Sequence, residues 1–444
     1  MEHLVFHVDV NSAFLSWSAV KRLQDDPKAV DLRTIPSAVG GDVQTRHGVI
    51  TAKSIPAKKY GIQTGEPVVK ALQKCPGLVL VQSDFQTYRM YSRAFIAVLH
   101  KYAETVEQVS IDEAFMDMSA LLLTDTDPVR KAGEIKDEIR DTLGFTVNVG
   151  ISVNRLLAKM ASDLEKPDRI HTLWPEEIPE KMWPLPIGNL YGCGARTAEK
   201  LQTLGIIRIG DAAAADPVLL RSYLGEKAGD YIFCSANGIG DAEISDAEEN
   251  AKSYSNETTL ASDIAAGNYA EDAPPVIKEL SDSVAGRLKK DGVFARTITV
   301  SVKTDGFRRH SRQAGLTEST NDPECIRREA EQLLRQLLFG QDGQAGLFEK
   351  GDRIRLIGVG ATNLDRREYR QLSLFDFLQN TVPDEKEDDR KKRLAAMLGK
   401  IRTQYGEKAV RRGSTLLREK EESPEHVPEC PDTPEEGRAE TAAQ

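Results

Sequence analysis

Leu4-Val5-Phe6-His7-Val8-Asp9-Val10-Asn11 and Val109-Ser110-Ile111-Asp112-Glu113-Ala114-Phe115-Met116-Asp117 decide the reading of this chain. Each sets acidic residues at the end of a short β-branched and aromatic run, the pattern of a buried strand. Neighbouring strands would bring Asp9, Asp112 and Glu113 to one spot. Carboxylates that close repel unless cations neutralise them, and Mg²⁺ favours one or two carboxylates together with substrate phosphate oxygens. The pattern therefore points to metal-assisted phosphoryl transfer. On the acids alone, a plain strand end at Asp9 and an exposed turn at Asp112-Glu113 explain the residues equally well.

At 444 residues the chain exceeds one compact core, and about three domains follow from usual domain size. No apolar stretch approaches membrane-spanning length, and the N-terminus opens on a strand-like run rather than a signal peptide. A cytoplasmic protein with no membrane partner is expected. Cys75, Cys193, Cys234, Cys325 and Cys430 form no CxxC pair, so reduced thiols are expected rather than zinc ligands or disulfides. The formal net charge of −10 argues against a nucleic-acid binder until it is mapped. Residues 419–444 carry nine Asp/Glu against Lys420 and Arg438, whereas residues 287–312 carry eight basic residues against Asp291 and Asp305. That basic stretch suits a surface tracking a phosphate backbone; a solvated basic face is its plainer explanation.

Further words surround the acids. Asp9-Val10-Asn11-Ser12-Ala13-Phe14, Ala38-Val39-Gly40-Gly41, Gly48-Val49-Ile50, Ser110-Ile111-Asp112-Glu113-Ala114 and Leu157-Ala158-Lys159-Met160-Ala161-Ser162-Asp163-Leu164-Glu165-Lys166-Pro167 stand in the order seen in Y-family DNA polymerases. The chain resembles that translesion family, in its DNA polymerase IV branch, from the first strand to Phe375. The resemblance implies a multidomain α/β and α+β right-hand polymerase. Its palm would take residues 1–11 and 74–170, its small fingers 12–73, its helix-hairpin-helix thumb 171–240, a linker 241–251 and its little finger 252–369. Residues 370–377 would form a clamp-binding peptide and 378–444 a charged tail, partly helical and partly disordered.

The same resemblance distributes roles. Asp9, Asp112 and Glu113 would be catalytic and, with the Val10 carbonyl, would hold two Mg²⁺ ions. Phe14 takes the steric-gate position, where an aromatic ring leaves no room for a 2′-hydroxyl. Asn11, Ser12, Ala13, Phe14, Lys58 and Lys166 would meet the nucleotide. Gly192-Cys193-Gly194 before Ala195-Arg196-Thr197 matches the thumb hairpin, where Gly192, Gly194, Arg196 and Thr197 would meet duplex backbone without reading sequence. In Thr297-Ile298-Thr299-Val300-Ser301-Val302-Lys303 polar and apolar residues alternate, so Thr297, Thr299, Ser301 and Lys303 should line an open sheet face; Arg308 and Arg309 extend it toward DNA. Gln371-Leu372-Ser373-Leu374-Phe375 looks like the peptide that docks into a bacterial sliding clamp through Gln371, Leu372, Leu374 and Phe375; a short helix packed on the little finger is the other explanation.

The fingers depart from the family. Where it commonly has Thr, Tyr and Arg against the triphosphate, this chain has Ala52, Ile55 and Lys58. Two neutral donors are missing, and Lys58 lacks arginine's bidentate fork. The expected function is template-directed, low-fidelity DNA synthesis in repair by a monomer, with primer-template DNA, deoxyribonucleoside triphosphates and a sliding clamp as partners. A clamp-tethered DNA-binding protein with weak or lost polymerase activity is the alternative. A palm-type nucleotidyl cyclase explains the acids but not the hairpin, the basic sheet or the clamp peptide.

Overall fold

A computed structural model describes residues 3–41, 48–124, 126–247, 250–341 and 343–366, with Met397 beyond them. The elements below belong to one unit, Met1–Arg366; Arg367–Gln444 form a second, and the clamp peptide and charged tail expected there lie outside the described residues.

In chain order the first part runs β1 (Val5–Val10), α1 (Ala13–Asp25), β2 (Ser37–Gly40), β3 (Ile50–Lys53), α2 (Ile55–Lys58), α3 (Val68–Lys74), β4 (Val79–Val81) and α4 (Phe85–Leu99). It continues with β5 (Val106–Gln108), β6 (Glu113–Asp117), α5 (Pro128–Leu143), β7 (Val147–Ser152), α6 (Arg155–Asp163) and β8 (Ile170–Thr172). β1 is central in a five-stranded sheet of order β5-β6-β1-β7-β8, antiparallel to both neighbours. Such a strand must be covered on both faces, and it is. Phe6 and Val8 pack with Trp17, Tyr88, Phe95 and Ile139 from α1, α4 and α5, while Val5 meets Phe115 and Ala158 on the α6 side. Gly150 permits that second layer: a Cβ there would stand 2.0 Å from the Ala158 carbonyl oxygen, so α6 rests almost on the backbone of β7. The strands β3-β2-β4 form a separate small sheet with α2 and α3.

A helical region follows: a 3₁₀ turn at Ile187–Asn189, α7 (Ala195–Thr203), α8 (Ile209–Ala213), α9 (Pro217–Leu224) and α10 (Glu226–Ala236). Its core includes Leu156, Leu157, Met160 and Ala161 of α6. Helix α6 therefore serves two cores, and the division expected after residue 170 runs through shared packing. Nor is the expected linker a free tether along its whole length. The Arg155 amide donates to the Asp241 carbonyl (2.9 Å), and Ile244 packs against Val5, Phe115 and Ala158.

The last region holds β9 (Ser253–Ile264), α11 (Tyr269–Lys290), β10 (Phe294–Thr304), β11 (Arg309–Thr320), α12 (Pro323–Phe339), β12 (Gly340–Gln341), β13 (Gln344–Ala345) and β14 (Ile354–Asp365). Its four long strands form an antiparallel sheet, β11-β10-β14-β9. The expected alternation in β10 is present: Ile298, Val300 and Val302 are fully buried with residues of α11 and α12. Two details differ from the sequence reading. Glu113 opens β6 instead of ending a strand, because Val109 and Ser110 turn back and donate to the Glu113 carbonyl. Thr297, expected on the open face, is buried and accepts a hydrogen bond from Asn363 Nδ2 (2.9 Å). No helix among the described residues is long and apolar enough to cross a membrane.

Candidate active site

The antiparallel register places Asp9 directly opposite Glu113, at the end of the sheet where β1 meets α1. Asp112 joins them because the Val10 amide donates to its carbonyl oxygen (2.9 Å), extending the β1–β6 pairing by one residue. Helix α6 and the segment that follows it each add one cation. Lys159 Nζ lies 2.7 Å from Glu113 Oε2 and 3.3 Å from Asp9 Oδ2, and Lys166 Nζ lies 2.6 Å from Asp9 Oδ2 and 2.8 Å from Asp163 Oδ1. Burial pulls the Lys159 ammonium down, but Asp9, Glu113 and Asp163 together raise it well above the usual lysine range. His7, buried beneath the site, has Nε2 3.3 Å from Glu113 Oε2, while Nδ1 pairs with Ser162 Oγ at 2.8 Å. His7 and then Lys159 hold the Glu113 carboxyl down to about 2, against its burial. Asp112 shifts the other way, since burial and then the Asp9 and Glu113 charges outweigh its hydrogen bond from Ser110.

Of these groups, Asp9, Asp112 and Lys166 line a cleft of about 450 Å³. Phe14 and the first turn of α1 line it as well, together with Thr51, Lys53, Ile55, Lys58 and Arg33. Ser12 caps α1 in the left-handed region (φ 50°) and makes no side-chain capping bond, so the first-turn amides of α1 are left for a ligand. Phe14 stacks on Tyr88, with ring centroids 4.5 Å apart and planes 12° from parallel. The donor set suits a hard divalent cation: clustered carboxylate oxygens with the Val10 carbonyl in the same cleft wall. Among the described residues no three His, Cys, Asp or Glu side chains already converge into a metal shell. The ammonium groups of Lys159 and Lys166 supply the counter-charge, and a cation shared by Asp9 and Glu113 requires them to move aside.

The structure thus brings Asp9, Val10, Asn11, Ser12, Ala13, Phe14, Lys58, Asp112 and Lys166 into one cleft, with Glu113 beside it. The fingers departures are partly resolved. Ser54 cannot replace a missing phosphate donor, because its hydroxyl is buried, donates to the Ile35 carbonyl and accepts from the Ala57 and Ser37 amides. Lys59 does not line the cleft, whereas Lys53 does, 3.1 Å from Thr64 Oγ1. Arg33, Thr64, Lys159 and His7 were not singled out from the sequence as site residues. Lys159 had the one usable signal, its i+4 spacing to Asp163 on a helix.

The expected DNA contacts lie elsewhere. Gly192 (φ 81°) has no room for a side chain, since a Cβ would stand 2.5 Å from Tyr231 Oη. Gly194 caps α7 in open space, and Arg196 is exposed on the first turn. Thr299, Ser301 and Lys303 are half-exposed, with Gly360 and Gly358 of β14 opposite the first two. Arg308 pairs with Asp352 (2.6 Å) and Arg309 with Glu257 (3.0 Å).

With this geometry in hand, comparison with known proteins is decisive. The impB/mucB/samB family matches residues 8–163, its C-terminal domain residues 251–374 and the family's HHH motif residues 175–206. The chain belongs to the Y family of DNA polymerases, in its DNA polymerase IV branch. It is 39% identical to DNA polymerase IV of Clostridium acetobutylicum over 95% of this chain and 100% of that protein. It is 34% identical to DNA polymerase IV 1 of Bacillus subtilis over 94% of each. A solved Y-family DNA polymerase chimera shares the fold with a TM-score of 0.70 at 23% identity, covering 82% of this chain and 100% of the other.

Proposed function

We propose that this polymerase extends a primer 3′ end on a template by two-metal phosphoryl transfer with Mg²⁺, at low fidelity and across damaged bases. The observation carrying the proposal is the convergence of Asp9, Asp112 and Lys166 in one cleft that Phe14 and the N-terminus of α1 also line. When bound, divalent cations would neutralise the triphosphate and lower the pKa of the primer hydroxyl. Asp9, Asp112, Glu113 and the Val10 carbonyl would hold them. Lys166, freed from Asp9, would turn to the triphosphate, and the first-turn amides of α1 would donate hydrogen bonds to its oxygens. The Phe14 ring, backed by Tyr88, would exclude a 2′-hydroxyl. Residues 1–11 and 74–170 would act as palm, 12–73 as fingers, 171–240 as thumb and 252–369 as little finger.

Primer extension on undamaged and lesion-bearing templates, with and without a divalent-ion chelator, tests this reading. Extension that stops on chelation is expected. A wild-type protein that binds primer-template tightly yet never extends it would favour the DNA-binding alternative, which the Ala52, Ile55 and Lys58 departures make worth testing. Recruitment through Gln371, Leu372, Leu374 and Phe375 belongs to the same proposal. Leu374→Ala with Phe375→Ala should weaken binding to a bacterial sliding clamp about 30-fold, the loss of two apolar anchors, and leave unassisted extension intact; equal clamp affinity removes the peptide from that role.

A further inference from the structure

Asn148 lies near the start of β7, opposite Asp9 in the register, and is fully buried. A carboxamide there is costly unless every polar atom is paired. It is. Nδ2 donates to the Ser162 carbonyl (3.0 Å) and the Glu165 carbonyl (2.7 Å), while Oδ1 accepts from Asn11 Nδ2 (3.0 Å) and the Arg169 amide (3.3 Å). Those bonds use both donors and both lone pairs. Asn11 Oδ1 in turn accepts from the Asp168 amide (2.9 Å) and Thr146 Oγ1 (3.0 Å).

The partners are not scattered through the core. Ser162, Glu165, Asp168 and Arg169 bracket a single short segment, and that segment carries Lys166 and Pro167 into the cleft. From the outer side Lys136 Nζ pairs with Asp168 Oδ1 (2.8 Å). A side chain that merely filled space in β7 would need none of these bonds. We propose that Asn148 is a positioning residue: it clamps residues 162–169 so that Lys166 is presented to the nucleotide beside Asp9. The inference rests on the proposed role of Lys166 toward the triphosphate.

Single-turnover nucleotide addition on a fixed primer-template, with matched deoxyribonucleoside triphosphates as probe, separates nucleotide capture from maximal rate. Asn148→Ala should raise the apparent nucleotide Kd about tenfold, the scale of losing buried hydrogen bonds to the loop, with a smaller change in maximal rate. A merely structural Asn148 would lower the Tm and the active fraction while leaving the Kd of active molecules unchanged. That outcome overturns the proposal. Should Asn148→Ala not fold, Asn148→Ser keeps one hydroxyl in the strand and carries the same comparison.

The deciding arm is a cycle with Lys166→Ala. If Asn148 acts through Lys166, adding Asn148→Ala to Lys166→Ala should raise the Kd by less than about twofold, within the error of additivity. Full additivity with a weakened Lys166→Ala enzyme overturns the positioning role alone. A Lys166→Ala enzyme with normal nucleotide Kd overturns both this inference and the proposed role of Lys166.

Discussion

The cleft at β1 and β6 and the open sheet of β9, β10, β11 and β14 are both proposed to meet phosphate, yet they are built in opposite ways. Around the carboxylates at the cleft the cations are few, partly buried and held in close ion pairs. Lys159 is 12% exposed, is held by Asp9, Glu113 and Asp163, and sits on a helix pressed against β7 by a glycine. At the sheet the cations are paired at similar distances but lie exposed: the Arg308 side chain is 68% exposed and Arg309 52%. Chemistry at one phosphorus atom needs reacting groups held in place. Following a backbone past many phosphates needs cations that exchange partners, and exposed ion pairs are weak enough to yield. One polyanion thus calls for rigidity in one region and mobility in the other.

The largest effect should come from breaking the rigid side. Asp112→Ala should lower nucleotide addition by at least about 10³-fold, on the scale of several kcal/mol expected from lost metal-assisted charge stabilisation. Primer-template affinity should change less than about threefold, because the duplex backbone is expected to be held by other residues. Extension and DNA binding measured on one preparation decide it; near-normal extension would remove Asp112 from the metal site. Next comes selectivity. Phe14→Val should reduce discrimination against ribonucleotides by about 10²-fold, the scale on which pocket shape rejects a small group. The ratio of incorporation efficiencies for matched ribo- and deoxyribonucleotides reads it, and an unchanged ratio would return Phe14 to an ordinary packing role on Tyr88.

The mobile side should respond gently and differently. Lys303→Ala with Arg309→Ala should weaken primer-template binding about tenfold at moderate salt and reduce the salt slope by about 1 per lost contact. The maximal rate on saturating DNA should hold. Titrations at several salt concentrations check this, and an unchanged slope would mean that the sheet does not carry the backbone. A fall in maximal rate as large as that of Asp112→Ala would erase the contrast between the two regions.

Much of this was legible in the chain because strands and motif words are local. The β1 run and the alternation in β10 read directly from spacing. Burial of Thr297 did not, since it depends on Asn363 of a strand far along the chain. Lys159 was quoted within a motif but not as a site residue, because its i+4 spacing to Asp163 cannot reveal that Gly150 lets α6 approach close enough for it to reach Glu113. The Asn148 clamp was invisible for the same reason: its partners come from β1, the end of α6 and the loop after it.

The fingers give the smallest expected effect and the finest test of the rigid side. Ile55 is 47% exposed at the cleft and offers no donor, and Lys58 is an exposed single-point cation. Ile55→Tyr with Lys58→Arg adds a hydroxyl and a bidentate fork, which should raise catalytic efficiency about three- to tenfold through stronger phosphate contacts. Two features weigh against a larger gain. Lys53 already lines the cleft, and both its burial and the Lys58 charge depress its ammonium, so a second strong cation nearby adds repulsion before the nucleotide arrives. The gain should therefore fall mainly on nucleotide capture, because the triphosphate supplies the charge that relieves Lys53. Single-nucleotide kinetics on both forms decide the matter: no gain, or a loss in a variant with unchanged Tm, would mean that Lys53 and Lys58 already meet the need and that the departures do not weaken the site.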